Sequence, residues 1–302
     1  MFAFQECYKE VITWLRLRHP NVLPFIGINR SLFRPRIALL SPWMMNGTSL
    51  MYLKNHPEAS RVDLIHGVAK GLDYLHLMKP VVMHGDLRGS NVLIDDCGQP
   101  LISDFGLVRI EDSLASITAS SFSGRGSLRW QAPELLCPDQ FPDIPCNITT
   151  KSDVYSFACL CLEIFTGYPP FPHLREISVL NEVAILDRRP ARPNYCAPLG
   201  LGDEMWTLMQ WCWHRHPAVR PTMQVVKLTL QRLCVRNIEG GSTDSQIPPS
   251  FTSPTQLQHD RLAFSRPTHL PLEDQIIKTS LRCAELRSKL FPQLEAIAPS
   301  FG

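Results

Sequence analysis

The 302 residues predict an α+β fold in which helices dominate and strands are short. Three observations carry that expectation. Residues 153–166 are apolar on every side and stop at Gly167-Tyr168-Pro169-Pro170, as a helix buried in mid-domain with a glycine C-cap does. Ile65, Val68, Leu72 and Leu75 recur every three or four residues, which marks one face of an amphipathic helix over residues 61–75. Short β-type runs come in pairs: residues 22–28 with 36–40, and 92–94 with 101–102 around the turn Asp96-Cys97-Gly98.

The remaining elements follow in chain order. Phe4, Val11, Trp14 and Leu15 fall at helical spacing, so residues 1–18 are expected to be helical until Pro20 ends the run. Residues 112–126 are rich in Ser and Thr and read as a loop. Helices are expected over 177–186, 203–214 and 221–233. Residues 1–235 then form one domain. Beyond it the composition shifts to Gly, Ser, Thr, Pro and Gln, so residues 236–271 read as a disordered linker. Ile276, Cys283, Leu286 and Leu290 give the tail 272–302 one candidate helix, over 272–291.

Composition excludes several classes. Hydrophobic residues at 44% and charged residues at 19% supply a sizeable core and rule out disorder of the whole chain. Thirty basic against 28 acidic residues leave a net charge of +2, which gives no electrostatic footprint for nucleic acid or for a membrane surface. No run of 18 apolar residues occurs, and the first twenty residues lack the pattern of a signal peptide. Ten cysteines are scattered without a C-x-x-C pair, and Cys159 and Cys161 sit in the apolar run as small hydrophobes. The expectation is a reduced, cytoplasmic protein.

Chemistry is concentrated in His84-Gly85-Asp86-Leu87-Arg88-Gly89-Ser90-Asn91-Val92-Leu93-Ile94, followed by Ser103-Asp104-Phe105-Gly106 and then Ala132-Pro133-Glu134. The null explanation for two aspartates and an asparagine is turns and caps, where these residues abound. The ordered set argues against it. Asp86 and Asn91 stand five apart, and the third motif begins 28 residues beyond Asp104. This set resembles the protein-kinase signature H-R-D-L-x-x-x-N, D-F-G and A-P-E. Residues 151–157 look like the buried central helix of the kinase C-lobe. Cys212-Trp213 with Arg220-Pro221-Thr222 looks like its closing segment, whose arginine pairs with the residue equivalent to Glu134. Residues 10–27 are similar to helix αC and the next strand of the tyrosine-kinase-like group. The resemblance covers about residues 4–233. It implies a protein-kinase-like fold with a mostly helical C-lobe and only helix αC and the last strands of an N-lobe.

The resemblance also implies roles. Phosphoryl transfer needs positioning and charge neutralisation more than covalent help. Asp86 would take the proton of the substrate hydroxyl. Asn91 and Asp104 would offer the oxygen ligands that Mg²⁺ prefers. Arg88 would present fixed positive charge to the transferring group. Glu10, Ser41 (the gatekeeper), Met44 (the hinge), Leu93 and Asp104 would contact ATP and its metal. The substrate would be a protein. Ser127 matches Ser/Thr kinases, whereas Leu128-Arg129-Trp130 and Arg88 resemble tyrosine kinases; Ser/Thr specificity is favoured, with Tyr as the alternative.

Two departures qualify these roles. Gly85 replaces the arginine of H-R-D, so control by a phosphate paired with that arginine is not expected, and only Arg109, Arg125 and Arg129 offer substitutes within the segment. No G-x-G-x-x-G occurs in the 302 residues, and the nine before Glu10 hold one lysine, Lys9, and no glycine. The expectation is therefore an N-lobe truncated before αC, with doubtful activity. The alternative function is a pseudokinase-like binding or scaffold module without turnover.

Overall fold

The computed structural model describes residues 11–29, 38–104, 109–110 and 128–239. The chain divides into two units. The described part of the smaller one is a hairpin, β1 (Gly27–Asn29) antiparallel to β2 (Ala38–Leu40), with Gly27 opposite Leu40.

The larger unit begins with α1, residues 11–16, the described part of the helix expected over 1–18. Val22 does not belong to the hairpin. It forms a parallel bridge to Ile102, and the Leu23 N–H donates to the Ile102 carbonyl at 2.8 Å. The strand expected over 22–28 is thus two separate segments. Pro24 lies between them, and a proline cannot donate to a ladder. Next come α2 (Ser49–Asn55) and α3 (Arg61–Leu77). Ser60 caps α3 through its hydroxyl, and Ile65, Val68, Leu72 and Leu75 on its inner face are fully buried.

Two short strand pairs position the site. β3 (Val82–Met83) pairs with β6 (Arg109–Ile110), and β4 (Val92–Ile94) pairs with β5 (Pro100–Ile102). The turn between β4 and β5 is held by the Asp95 carboxylate, which accepts the N–H groups of Cys97 and Gln99.

The core surrounds α5 (Thr150–Thr166). Every residue from Ser152 to Phe165 is buried, as its all-round apolar sequence requires. Thr149 and Ser152 form a reciprocal capping box at its start, and Gly167, at φ +75°, closes it. Helix α3 packs on β5 and on α5, and α7 (Asp203–Cys212) packs on α5. Between them α4 (Pro133–Leu136) is one turn, and α6 (Glu176–Leu180) widens into a π-helical turn at Asn181–Ile185. Helix α8 spans Met223–Glu239 and so runs past residue 235, where the linker was expected to begin. The loop over 112–126, the rest of the linker and the tail helix lie outside the described residues. Helix α2 and the β3–β6 pair were not anticipated. The architecture is the helix-rich α+β fold that the sequence predicts.

Candidate active site

The loop after β3 is built on one buried carboxylate. Asp153 Oδ2 accepts the His84 N–H at 2.8 Å and lies 2.9 Å from His76 Nε2, while Oδ1 accepts the Gly85 N–H at 2.8 Å. Gly85 has φ +80°, a left-handed conformation that costs glycine nothing. The His84 ring then joins two strands of the site. Its Nδ1 accepts the Asp86 N–H at 3.2 Å, so its proton sits on Nε2 and is donated to the Ser103 carbonyl at 2.9 Å.

Asp86 and Asn91 are held to each other. Gly89–Asn91 make a single 3₁₀ turn, from which Asn91 Nδ2 donates to the Asp86 carbonyl at 2.8 Å and to Asp86 Oδ2 at 3.1 Å. That orients the amide and leaves Oδ1 on its other side, where it receives the Ser90 hydroxyl at 3.1 Å. The Asn91 carbonyl accepts both the N–H (2.9 Å) and the hydroxyl (3.1 Å) of Ser103, which brings the exposed Asp104 in beside it. Asp104 sits at φ +62°, a left-handed conformation that aspartate adopts more readily than most residues. Arg88 Nε stands 3.5 Å from Asp86 Oδ2; it is buried and has no hydrogen-bond acceptor among the described residues.

Beyond the loop, the 3₁₀ turn Leu128–Trp130 leads into α4. Trp130 Nε1 and the Gly89 N–H both donate to Glu163 Oε2, at 2.9 and 2.8 Å. Burial pushes the Glu163 carboxyl up, against those two hydrogen bonds and the nearby Arg88 charge. Arg129 spends its guanidinium on the carbonyls of Pro170, Phe171 and Leu174, so it holds a loop in place and is not a spare phosphate partner. Arg220 pairs with Glu134 as the resemblance implied.

Residues 3–230 match the sequence profile described as protein tyrosine and serine/threonine kinase. The chain belongs to this kinase family. Curated relatives agree. The chain is 29% identical over 260 residues to the Arabidopsis thaliana protein titled "Probable serine/threonine-protein kinase SIS8", which covers 84% of this chain and 23% of the relative. It is 31% identical to the serine/threonine-protein kinase CTR1 of the same plant, over 76% of this chain and 26% of the relative. A third, STY17, is 28% identical over 76% of this chain and 37% of its own length. The chain therefore spans between about a quarter and two fifths of the length of these relatives.

The kinase residues suit Mg-ATP in their chemistry. Asn91 Oδ1 and the Asp104 carboxylate are hard oxygen donors, and such a metal takes its other ligands from phosphate and water. The buried Arg88 Nε, which has no hydrogen-bond acceptor among the described residues, is a donor that an anionic group would satisfy. Bound Mg-ATP would supply the phosphoryl group and neutralise its charge. Half-buried Ser41 and Met44 lie in the stretch before Thr48. There Gly47 donates its N–H to the Met44 carbonyl and accepts the Ile94 N–H, and Thr48 bridges Leu93. Met44 and Leu93 are thereby brought onto neighbouring segments. Glu10 and Ser127 lie outside the described residues.

Sequence reasoning passed over His76, Asp153 as an anchor and Glu163. The available signal was two carboxylates inside a run otherwise apolar on all sides, since a buried charge needs partners.

Proposed function

We propose that this kinase transfers the γ-phosphoryl group of Mg-ATP to serine or threonine hydroxyls of protein substrates, in the cytoplasm and as a member of the tyrosine-kinase-like group. The observation that carries the reading is the fixed Asp86–Asn91 pair, in which one amide bonds both the backbone and the carboxylate of Asp86. Asp86 is the group that takes the hydroxyl proton. Arg88 faces the transferring phosphoryl, and Asn91 with Asp104 holds the metal. Ser41, Met44 and Leu93 contact the adenine, and Glu10 serves the nucleotide. The names of the relatives favour Ser/Thr over Tyr.

The experiment is to incubate the chain with labelled ATP, Mg²⁺ and a generic protein acceptor, and to hydrolyse the product. Label on phosphoserine or phosphothreonine supports the reading. Label on phosphotyrosine alone contradicts the specificity, and nucleotide binding without any transfer contradicts the activity.

A further inference from the structure

Helices α5 and α8, each of 17 residues, both begin at one cavity of about 190 Å³, and the end of α3 lines it too. Thr149 caps α5, and Thr222 caps α8 by accepting the Val225 N–H at 3.4 Å. These caps leave the N–H groups of Thr150, Lys151, Met223 and Gln224, which meet no acceptor among the described residues. All four residues line the cavity.

An independent observation comes from α3. The His76 side chain is only 8% exposed, yet it lines the same cavity. Its Nε2 donates to Asp153 Oδ2, and its Nδ1 has no partner among the described residues. Lys151 spends two of its three N–H groups on the carbonyls of Arg220 and Pro221. Burial and the Arg220 charge both push the Lys151 ammonium down, and no carboxylate among the described residues pairs with it. The one acidic side chain lining the cavity, Asp73, is already paired with Lys227.

We propose that this cavity is a phosphate-binding site, in which the starts of α5 and α8, Lys151 and His76 hold inorganic phosphate or the phosphate of a small phosphomonoester. Aligned peptide dipoles give each helix start about half a positive charge, and free N–H groups there suit an anion. Phosphate oxygens accept from those groups and from the third N–H of Lys151. His76 Nδ1 takes the O–H of hydrogen phosphate when bare, and donates to an oxygen when protonated. The cavity is smaller than the roughly 300–1,000 Å³ that drug-sized ligands occupy, which favours a small anion over a nucleotide. The site shares no residue with the Asp86, Asn91 and Asp104 neighbourhood, so it goes beyond the kinase reading and does not depend on it.

The test titrates the full, isotopically labelled chain with inorganic phosphate and, in parallel, with glycerol phosphate at constant ionic strength. The readouts are the backbone amide and His76 ring resonances. The expected result is saturable shifts at Thr150, Lys151, Met223, Gln224 and the His76 ring, with a Kd of about 1 mM or below. Thr150→Pro removes one N–H at the first helical position, where that donor serves no helix bond. Thr149 before it is extended, at φ −133° and ψ 166°, as a residue preceding proline must be. This variant should bind about tenfold more weakly with an unchanged denaturation midpoint, and Lys151→Gln should lose about as much affinity. Where Lys151→Gln does not fold, Thr150→Pro still decides. Binding of inorganic phosphate alone assigns the free ion, and binding of both probes assigns the phosphate group; either supports the site. The absence of saturable shifts, shifts of equal size at the starts of α3 and α7, or parental affinity in Thr150→Pro overturns it. A chain that transfers no phosphoryl group defeats the kinase reading and leaves these readouts to decide the site.

Discussion

Arg220 and Glu134 meet in a bidentate pair of 2.6 and 2.7 Å, and neither side chain is more than 2% exposed. The remaining donors of the guanidinium reach the carbonyls of His214, Lys151 and Arg215, so all five N–H groups are used. The pair ties the segment after Trp130 to the entry of α8. Removing the arginine leaves a buried carboxylate unpaired and takes a donor from each of three carbonyls. Arg220→Met should cost about 3–5 kcal/mol in urea unfolding. Arg220→Lys keeps the charge but not the fork and should lose a smaller, still measurable part. A loss below about 1 kcal/mol for Arg220→Met would mean that the pair adds no more than an exposed one does.

Gly85 occupies a left-handed conformation while its N–H is held by Asp153. Any side chain there must adopt φ near +80° or release that bond. Gly85→Ala should therefore destabilise the fold by about 1–2 kcal/mol, measured as a lower denaturation midpoint at unchanged m. An unchanged or raised midpoint would show that the loop relaxes to another conformation without cost.

The raised carboxyl of Glu163 makes a signed pH prediction. Burial is the main cause of the shift, so the folded state holds this proton more tightly than the unfolded state does. The stabilisation from protonating it is fully present below the ordinary value of 4.5 and is lost as pH rises through the raised folded value. Wild-type stability relative to Glu163→Gln should thus fall as pH rises from about 4.5 into that window. A difference that is flat or grows with pH would contradict the assignment.

Thiol reactivity should separate the cysteines. Burial pushes Cys159 up to about 12, Cys161 well above its ordinary value and Cys212 likewise upward. Burial, with the Asp63 carboxylate nearby, also pushes Cys234 up to about 12. Cys97 is exposed in the turn before β5. Native alkylation at pH 8, mapped by peptide mass, should modify Cys97 and spare these four until the chain unfolds. Early modification of Cys159, Cys161 or Cys212 would mean that α5 and α7 open locally.

Much of this was legible in the residues, and for physical reasons. The all-round apolar run of α5 and the periodicity of α3 identify buried helices because burial needs those patterns. The paired motifs placed Asp86, Arg88, Asn91 and Asp104 in one neighbourhood. Other features depend on partners distant in sequence. Val22 reads as part of one strand with Gly27, yet it pairs with Ile102, eighty residues away in sequence. Helix α2 has only seven residues, too few for a periodic signal, although Thr48 stands at its cap. Glu163 reveals its use only once Gly89 and Trp130 are folded against it.

The central claim is that Asp86 meets the substrate hydroxyl while Asp104 and Asn91 hold the metal. It is tested most directly by measuring single-turnover phosphoryl transfer and Mg-ATP affinity together in the parent chain, Asp86→Asn and Asp104→Ala. The account predicts that Asp86→Asn removes transfer with nucleotide affinity nearly unchanged, and that Asp104→Ala loses both. Transfer that survives in Asp86→Asn, or equal loss of affinity in the two variants, would contradict it.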